Sequence, residues 1–237
     1  MEYLQLGQLK VEVELKDIKN IHLSVYPPKG RVHISAPTRM NMDTIRIYAI
    51  SKMSWIKKQQ EKILSQEREA PREYITKESH YFLGKRYLLK VIELDTVPIV
   101  NVNHTTLELY VRPGSSLEKR REILENWYRE QLRTESMKMI SEWEQEMNLK
   151  VVQLGIKKMK TKWGTCNEKA KRIWINFELV KKPMECIEYI IVHEMVHLLE
   201  RNHNDKFIAY MNHYLPTWRQ LKKDLNKLPV SHVDWGY

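Results

Sequence analysis

The stretch HEMVHLLERNH, residues 193–203, holds three histidines and a glutamate within eleven residues. On an α-helix, His193 and His197 lie about one turn apart and differ by roughly 40° around the axis, so both imidazoles can reach one ion. Glu194 directly follows the first histidine and can accept a proton from a water bound to that ion. The pattern therefore predicts a hydrolytic metal site on a helix.

The residues around this pattern predict that the helix is buried. The flanks CIEYIIV and MVHLLE are apolar nearly all round, and Pro183 suits the first turn of a helix that runs to about Glu200. Two core histidines bonded to backbone carbonyls are the alternative interpretation. That alternative would also bury the charged Glu194 beside them, and unpaired buried polar groups cost free energy. We therefore favour a metal site.

A catalytic zinc ion needs a third protein ligand. If the helix continued, His203 would lie about 15 Å along the axis from His193, so it can bind the same ion only if the chain turns back. Asn202 is the residue in the intervening segment best suited to a left-handed turn. Asp205 and His213 are rival third ligands, and the spacing alone does not choose among the three.

The first half of the chain predicts two small β-rich regions. Alternating segments within residues 9–36 predict strands, including a hairpin around the turn PPKG, and a helical period predicts one helix over 41–65. The charged, proline-containing segment 67–73 is the best candidate boundary. Residues 81–111 then predict a small antiparallel sheet, and apolar residues at helical spacing predict a long helix over 117–147.

The second half predicts a catalytic domain in which a helix packs on a sheet. Two strands flank the predicted turn TCNEKAK, and two further helices cover about 205–213 and 217–227. The predicted fold is α+β, with a small β-rich N-terminal part before a domain in which the histidine helix packs on a sheet. The predicted domains are an N-terminal hairpin plus helix (1–70), a small antiparallel sheet (71–114) and the catalytic domain (115–237).

Charge and composition restrict the environment and the partners of the protein. The net charge is +10, and residues 150–172 hold eight basic residues against one acid. This basic stretch predicts a possible nucleic-acid partner, although charge alone specifies none. Two cysteines are too few for a disulfide framework. With no signal peptide and no apolar run long enough for a membrane span, the sequence predicts a cytoplasmic protein without a membrane partner.

The stretch from Lys160 to Leu225 resembles the YgjP-like, SprT-related metallopeptidase domain. The family has Trp-Gly-Ser-Cys before the active helix, and here Thr165 takes the place of the serine. The other family positions are occupied by Trp163, Gly164, Cys166, His193, Glu194, His197, Asn202, His203, Phe207, Leu215, Pro216 and Trp218. The segments VHISAP, SKMSWIKK and YFLGKRYLLKV extend the resemblance over nearly the whole chain.

The resemblance implies a zinc-dependent peptidase that acts on proteins or peptides, with a zincin-like metallopeptidase domain preceded by the small β-rich N-terminal part. It implies that His193, His197 and His203 bind Zn²⁺, with Glu194 as the general base. The alternative function is a DNA-associated protein with a recruited peptidase or a structural zinc site, because SprT-related proteins include proteases that act near DNA. An inactive scaffold is a third alternative, against which the complete ligand set argues. The oligomeric state does not follow from the sequence.

Two further hypotheses concern substrate binding. One strand of KWGTCNEKAKRIWINF, residues 162–177, is expected to form a sheet edge beside the metal, where an extended peptide could add as a further strand. Tyr210 and Lys162 are the candidates for stabilising the oxyanion. Cys166 lies in the same stretch, and its thiolate could occupy the open metal position.

Overall fold

The computed structural model describes residues 2–27, 29–65, 72–159 and 161–228. The chain divides into two compact units, one containing residues 1–70 and the other spanning 71–228. Most of the predicted boundary segment 67–73 lies outside the described residues, as does Lys160 of the basic stretch. The prediction of three domains stays a prediction. Among the described residues, no helix combines the length and apolarity needed to cross a membrane.

The first unit is a four-stranded sheet followed by two helices. Its strands and helices are β1 (Glu2–Leu6), β2 (Leu9–Lys16), β3 (His22–Tyr26), β4 (Arg31–Pro37), α1 (Met42–Ser51) and α2 (Met53–Ser65). The strand order is β1-β2-β4-β3, and β3 and β4 form the predicted hairpin. Alternate strand residues such as Val32 and Ile34 share a core with Ile45 and Ile56 of the helices.

The single helix predicted over 41–65 is wrong, because the helix is interrupted at Lys52. The ψ angle of Lys52 is 6°, outside the helical range. Its N–H is shared between the carbonyls of Tyr48 and Ala49, which tightens the last turn of α1 before α2 begins.

The second unit opens with another four-stranded sheet, which is mixed. Its strands are β5 (Ser79–Phe82), β6 (Lys85–Glu93), β7 (Ile99–Val102) and β8 (Thr106–Val111), in the order β5-β6-β8-β7. The prediction of a purely antiparallel sheet is wrong, because β6 and β8 run parallel. Strand β8 lies between β7 and β6. It is antiparallel to β7 and parallel to β6. The first unit has the same strand order and directions.

A long helix, α3 (Leu117–Met147), follows this sheet and confirms the prediction over 117–147. The Ser116 side chain accepts a hydrogen bond from the Lys119 N–H (3.3 Å) and caps its start. Asn148 ends it with a φ of 49°, the left-handed conformation that asparagine tolerates. Apolar residues of α3 such as Leu132 share one core with the sheet and with the helices that follow.

Three short strands form the sheet next to the histidine helix. They are β9 (Gln153–Lys157), β10 (Gly164–Asn167) and β11 (Arg172–Asn176), in the order β10-β11-β9. The predicted turn TCNEKAK is partly wrong, because residues 165–167 belong to β10 and pair with β11. Only the following residues turn, with Lys171 at a φ of 47°.

The chain ends in a 3₁₀ helix (Phe177–Lys181) and the helices α4 (Met184–Val196), α5 (Asp205–Tyr214) and α6 (Trp218–Lys227). Helix α4 packs on β10 and β11 and against α3, α5 and α6. This helix-on-sheet arrangement confirms the predicted α+β fold with its β-rich N-terminal part.

The start of α4 is held by the hairpin between β5 and β6. The Leu83 N–H donates to the Val180 carbonyl (2.8 Å) just before the helix. Gly84 has a φ of +80°, and a Cβ there would lie 2.9 Å from the Cα of Pro183. A side chain at this position would therefore be strained and would push the start of α4 away.

Candidate metal centre

The three histidines of the 193–203 stretch come from one helix and the turn after it. His193 lies in the last turn of α4, His197 is its C-terminal cap, and His203 lies in the segment before α5. One nitrogen from each imidazole lies within 4.8 Å of the other two. Among the described residues, Asp205 and His213 do not join this cluster.

The reversal of the chain after His197 brings His203 back to His193. The Leu198 and Leu199 N–H groups bond to carbonyls three residues earlier (both 2.9 Å), so the helix tightens and ends before the predicted Glu200. The expectation of a left-handed turn at Asn202 is wrong, because residues 198–204 have no positive φ. The tight i→i+3 turn achieves the reversal without glycine.

The spacing of two of the rings matches the spacing expected for ligands of one zinc ion. The Nε2 atoms of His193 and His203 lie 3.1 Å apart. Two nitrogens bound tetrahedrally to one zinc at about 2.0–2.1 Å are expected to lie about 3.3 Å apart. The Nδ1 of His197 lies 3.2 Å from the Glu200 carbonyl oxygen. An N–H at Nδ1 can donate to that carbonyl, which leaves Nε2 of this ring free for a metal.

Burial favours the neutral ring that a metal requires. Burial lowers the pKa of His193 to about 3, and the neighbouring charges of His197 and His203 act in the same direction. Burial also lowers the pKa of His203, with His197 and Lys222 adding to the effect. Neutral imidazole is the form that binds metal ions, so at neutral pH these two rings are in their ligand form.

Phe207 of α5 holds the three imidazoles by packing. Its ring centroid lies 5.0, 4.7 and 4.6 Å from those of His193, His197 and His203, and the side chain is 2 % exposed. Asn204 caps α5 by accepting the Phe207 N–H (3.0 Å). Within the described chain, the buried Nδ1 of His193 has no hydrogen-bond partner. Ring packing therefore orients His193 in place of a hydrogen bond.

Glu194 is buried beside the histidines against strand β10. It is 5 % exposed, and a Cβ at Gly164 would lie 2.6 Å from its Oε1. Burial raises the pKa of Glu194 to about 8, and the Lys162 charge partly opposes this. Glycine at the start of β10 is thus what allows this carboxylate to lie against the strand.

A cleft of about 830 Å³ opens over the histidines and Glu194. Strand β10 and Lys162 line it, but Tyr210 does not, and the Tyr210 ring instead stacks on Tyr214 at 6.2 Å. Tyr189 and Lys222 also line it, and neither was predicted. Tyr189 lies one helical turn before His193, so the helix period of the sequence already places both side chains on the same face of α4. Lys222 lies on α6, and no local sequence pattern predicts that this residue lines the cleft.

Strand β10 has a free edge, and its residues line this cleft. The Asn176 N–H donates to the Trp163 carbonyl (2.8 Å), and hydrogen-bonded pairs alternate along an antiparallel ladder. The next hydrogen-bonded pair joins Thr165 to Trp174. Gly164 and Cys166 lie in the alternate pairs, so their backbone N–H and C=O groups point away from β11, toward the unpaired edge. In the sheet as described, no strand pairs there.

Cys166 lies in the cleft wall as a free thiol. Burial raises its pKa to about 12, and the charges of Glu194 and Glu168 act in the same direction. Without a metal the thiol is therefore protonated at neutral pH, and its proposed binding to the open metal position stays a prediction.

Comparison with known proteins gives one family. The sequence model of the YgjP-like metallopeptidase domain matches residues 19–228. A search of curated proteins finds no match. Among solved structures, the metallopeptidase zymogen abylysin of Pyrococcus abyssi is 16 % identical, over 41 % of this chain and 99 % of its own, with a TM-score of 0.37. The zymogen jannalysin of Methanocaldococcus jannaschii is 24 % identical, over 38 % and 87 %, with a TM-score of 0.35.

The contact between Gly164 and Glu194 generates a prediction. Gly164→Ala is expected to displace the Glu194 carboxylate, because the new methyl group and Oε1 cannot both occupy the space. Peptidase activity should fall at least ~10², as for a lost general base, while zinc content is unchanged. Gly114→Ala is the control, because it adds the same methyl group where no atom lies within 4 Å, and it should keep wild-type activity. Full activity in Gly164→Ala would contradict the assignment.

Proposed function

The chain belongs to the YgjP-like metallopeptidase family, and from that premise we propose that it is a zinc-dependent peptidase. In this proposal His193, His197 and His203 bind the metal and Glu194 is the general base. The observation that carries the proposal is the convergence of three imidazole nitrogens within 4.8 Å beside a buried carboxylate. Both lie in a cleft bordered by a free strand edge.

The donor set favours zinc in a catalytic site. Three neutral histidines are the ligands of several catalytic zinc sites, and they leave one coordination position open. A bound Zn²⁺ in such a site lowers the pKa of a coordinated water and polarises the carbonyl group of the substrate. A purely structural zinc would have no use for a buried carboxylate next to its ligands, so Glu194 argues for catalysis.

Glu194 performs the proton transfers of the proposed reaction. Burial raises the pKa of Glu194 to about 8, and a metal ion bound beside it would lower that pKa again and favour the carboxylate. The carboxylate then accepts a proton from the attacking water and delivers it to the amine that leaves when the peptide bond breaks. Burial between α4 and Gly164 excludes bulk water and fixes the orientation of the side chain. Lys162 lines the same cleft and is the remaining candidate for stabilising negative charge on the carbonyl oxygen.

Strand β10 binds the substrate backbone in this proposal. The outward N–H and C=O groups of Gly164 and Cys166 can pair with an extended peptide, which then adds to the sheet as a fourth strand. Because Gly164 also contacts Glu194, a peptide on this edge would pass beside the general base. Binding through backbone hydrogen bonds alone would depend little on the side chains of the substrate.

Nucleic-acid binding through residues 150–172 and a cytoplasmic location stay predictions. Lys150 pairs with Glu144 (2.7 Å) and Lys158 with Glu125 (2.8 Å). These two cations are neutralised locally and contribute little to a field that would attract phosphates. The proposal therefore names a protein or peptide substrate.

The ligand assignment predicts about one zinc per chain in purified protein. His193→Ala and His197→Ala are each expected to abolish zinc binding, and His203→Ala to weaken it severely, because each removes one of three ligands. Metal content by elemental analysis measures this. Full occupancy in His203→Ala, lost on adding Asp205→Ala or His213→Ala, would identify a different third ligand.

Glu194→Gln separates metal binding from chemistry. The variant is expected to retain zinc and the fold but to hydrolyse peptides at least ~10² more slowly, because glutamine cannot accept the proton. Glu185→Gln is the matched control, since Glu185 is an exposed carboxylate on the same helix. Equal rates for Glu194→Gln and the wild type would exclude the proposed mechanism.

Cys166→Pro tests the strand edge. Proline removes the backbone N–H that points to the free edge, and edge strands tolerate proline. KM is expected to rise while zinc content stays unchanged. Cys166→Ala removes the same thiol but keeps the N–H, so it should retain the wild-type KM. The same KM in the proline and alanine variants would show that the substrate does not pair with β10 at this residue.

A further inference from the structure

Three lysines from separate segments line the cleft. Lys162 precedes β10, Lys169 lies in the turn between β10 and β11, and Lys222 lies on α6. All three are exposed residues. Within the described part of the chain, none of them forms a salt bridge. The walls of the cleft therefore present positive charge from three directions.

The carboxylates of the cleft do not neutralise these lysines. Glu168 lies 3.2 Å from Arg201, so its charge is already paired. Glu194 is buried against Gly164 and serves as the proposed base. With a doubly charged metal bound to three neutral rings, the excess of positive charge would increase further.

Lys222 lines the same cleft as the three histidines. Helix α6, which carries Lys222, packs against α4, the helix that carries His193 and Glu194. A substrate bound over the histidines would therefore lie near this charge.

We propose that the cleft selects peptide segments with an aspartate or glutamate close to the cleaved bond, and that Lys169 and Lys222 pair with these side chains. This inference rests on the proposed peptidase function and names its substrate class. Lys162 is left out of the pairing because it is the candidate for stabilising negative charge on the reacting carbonyl oxygen.

The surroundings of the lysines favour an acidic peptide over another polyanion. The backbone groups of Gly164 and Cys166 on the free edge match an extended peptide, whereas a sugar-phosphate chain has no N–H groups to complete a ladder. A strand advances about 3.3 Å per residue, and Lys169 lies two residues beyond the end of β10. It can therefore reach a side chain a few residues from the cleaved bond.

The experiment uses three fluorogenic peptides that differ only in Glu, Gln or Lys at one position beside the cleaved bond. For the wild type, kcat/KM is expected to be highest for the Glu peptide, and this preference should weaken with added salt. Lys169→Gln and Lys222→Gln should each raise KM for the Glu peptide about two- to five-fold, the factor typical of an exposed ion pair. KM for the Gln peptide should not change.

Lys223→Gln is the matched control for Lys222→Gln. Lys223 is the next residue on α6, is exposed and does not line the cleft. It removes the same charge from the same helix, so an effect of net charge alone would appear equally in both variants. An equal rise of KM for the Glu peptide in both variants would overturn the pairing with Lys222.

A binding measurement separates this inference from the proposed function. Fluorescence anisotropy with zinc-loaded Glu194→Gln protein needs no turnover and should give the same order, with the Glu peptide binding most tightly. Charge-selective binding without any cleavage by the wild type would overturn the peptidase proposal and keep the inference. Equal cleavage and binding of all three peptides would overturn the inference and keep the peptidase.

Two further results would also overturn the inference. Lys222→Gln could lower kcat for all three peptides equally, which would assign Lys222 to the reacting carbonyl and not to an acidic side chain. A single-stranded oligonucleotide could displace the Glu peptide from the Glu194→Gln protein at lower concentration than an unlabelled Glu peptide does, which would make nucleic acid the preferred ligand.

Discussion

The tight turn after His197 is the constraint on which the candidate site depends. A continued helix would carry His203 about 15 Å from His193, whereas the turn brings their Nε2 atoms to 3.1 Å. The reversal uses two successive i→i+3 hydrogen bonds and no left-handed residue. The reversal also places the Phe207 ring in contact with all three imidazoles.

The absence of a side chain at Gly164 links the sheet to the site. One glycine lets the Glu194 carboxylate lie against β10, and the same strand has an unpaired edge and lines the cleft. The proposed base and the proposed substrate strand are therefore positioned by one contact. A rigid strand beneath a buried carboxylate holds the group in one orientation, which is what a proton transfer at a fixed distance requires.

The rest of the second unit supports helix α4 at its other end. The hairpin around Gly84 approaches Pro183, and the Trp143 indole of α3 donates to Glu188 of α4 (3.1 Å). Both contacts join α4 to segments distant in sequence. The mixed sheet that carries the hairpin repeats the strand order of the first unit, although the sequence shows no internal repeat. Strand order depends on which strand edges pair. Many different side chains give the same alternation of buried and exposed positions, so two sheets can share an order without similar sequences.

The sequence by itself determined the features that depend on local spacing. The period of α3, the hairpin of β3 and β4, and the pairing of His193 with His197 on one helix follow from residues a few positions apart. Family resemblance added the expectation for His203, which spacing alone left open beside Asp205 and His213. Tertiary structure decided the parallel pairing of β6 with β8, the inclusion of residues 165–167 in an edge strand, and the arrival of Lys222 at the cleft. Each of these depends on contacts between segments far apart in the chain, whose free energy comes from burial of a shared core and not from local conformational preference.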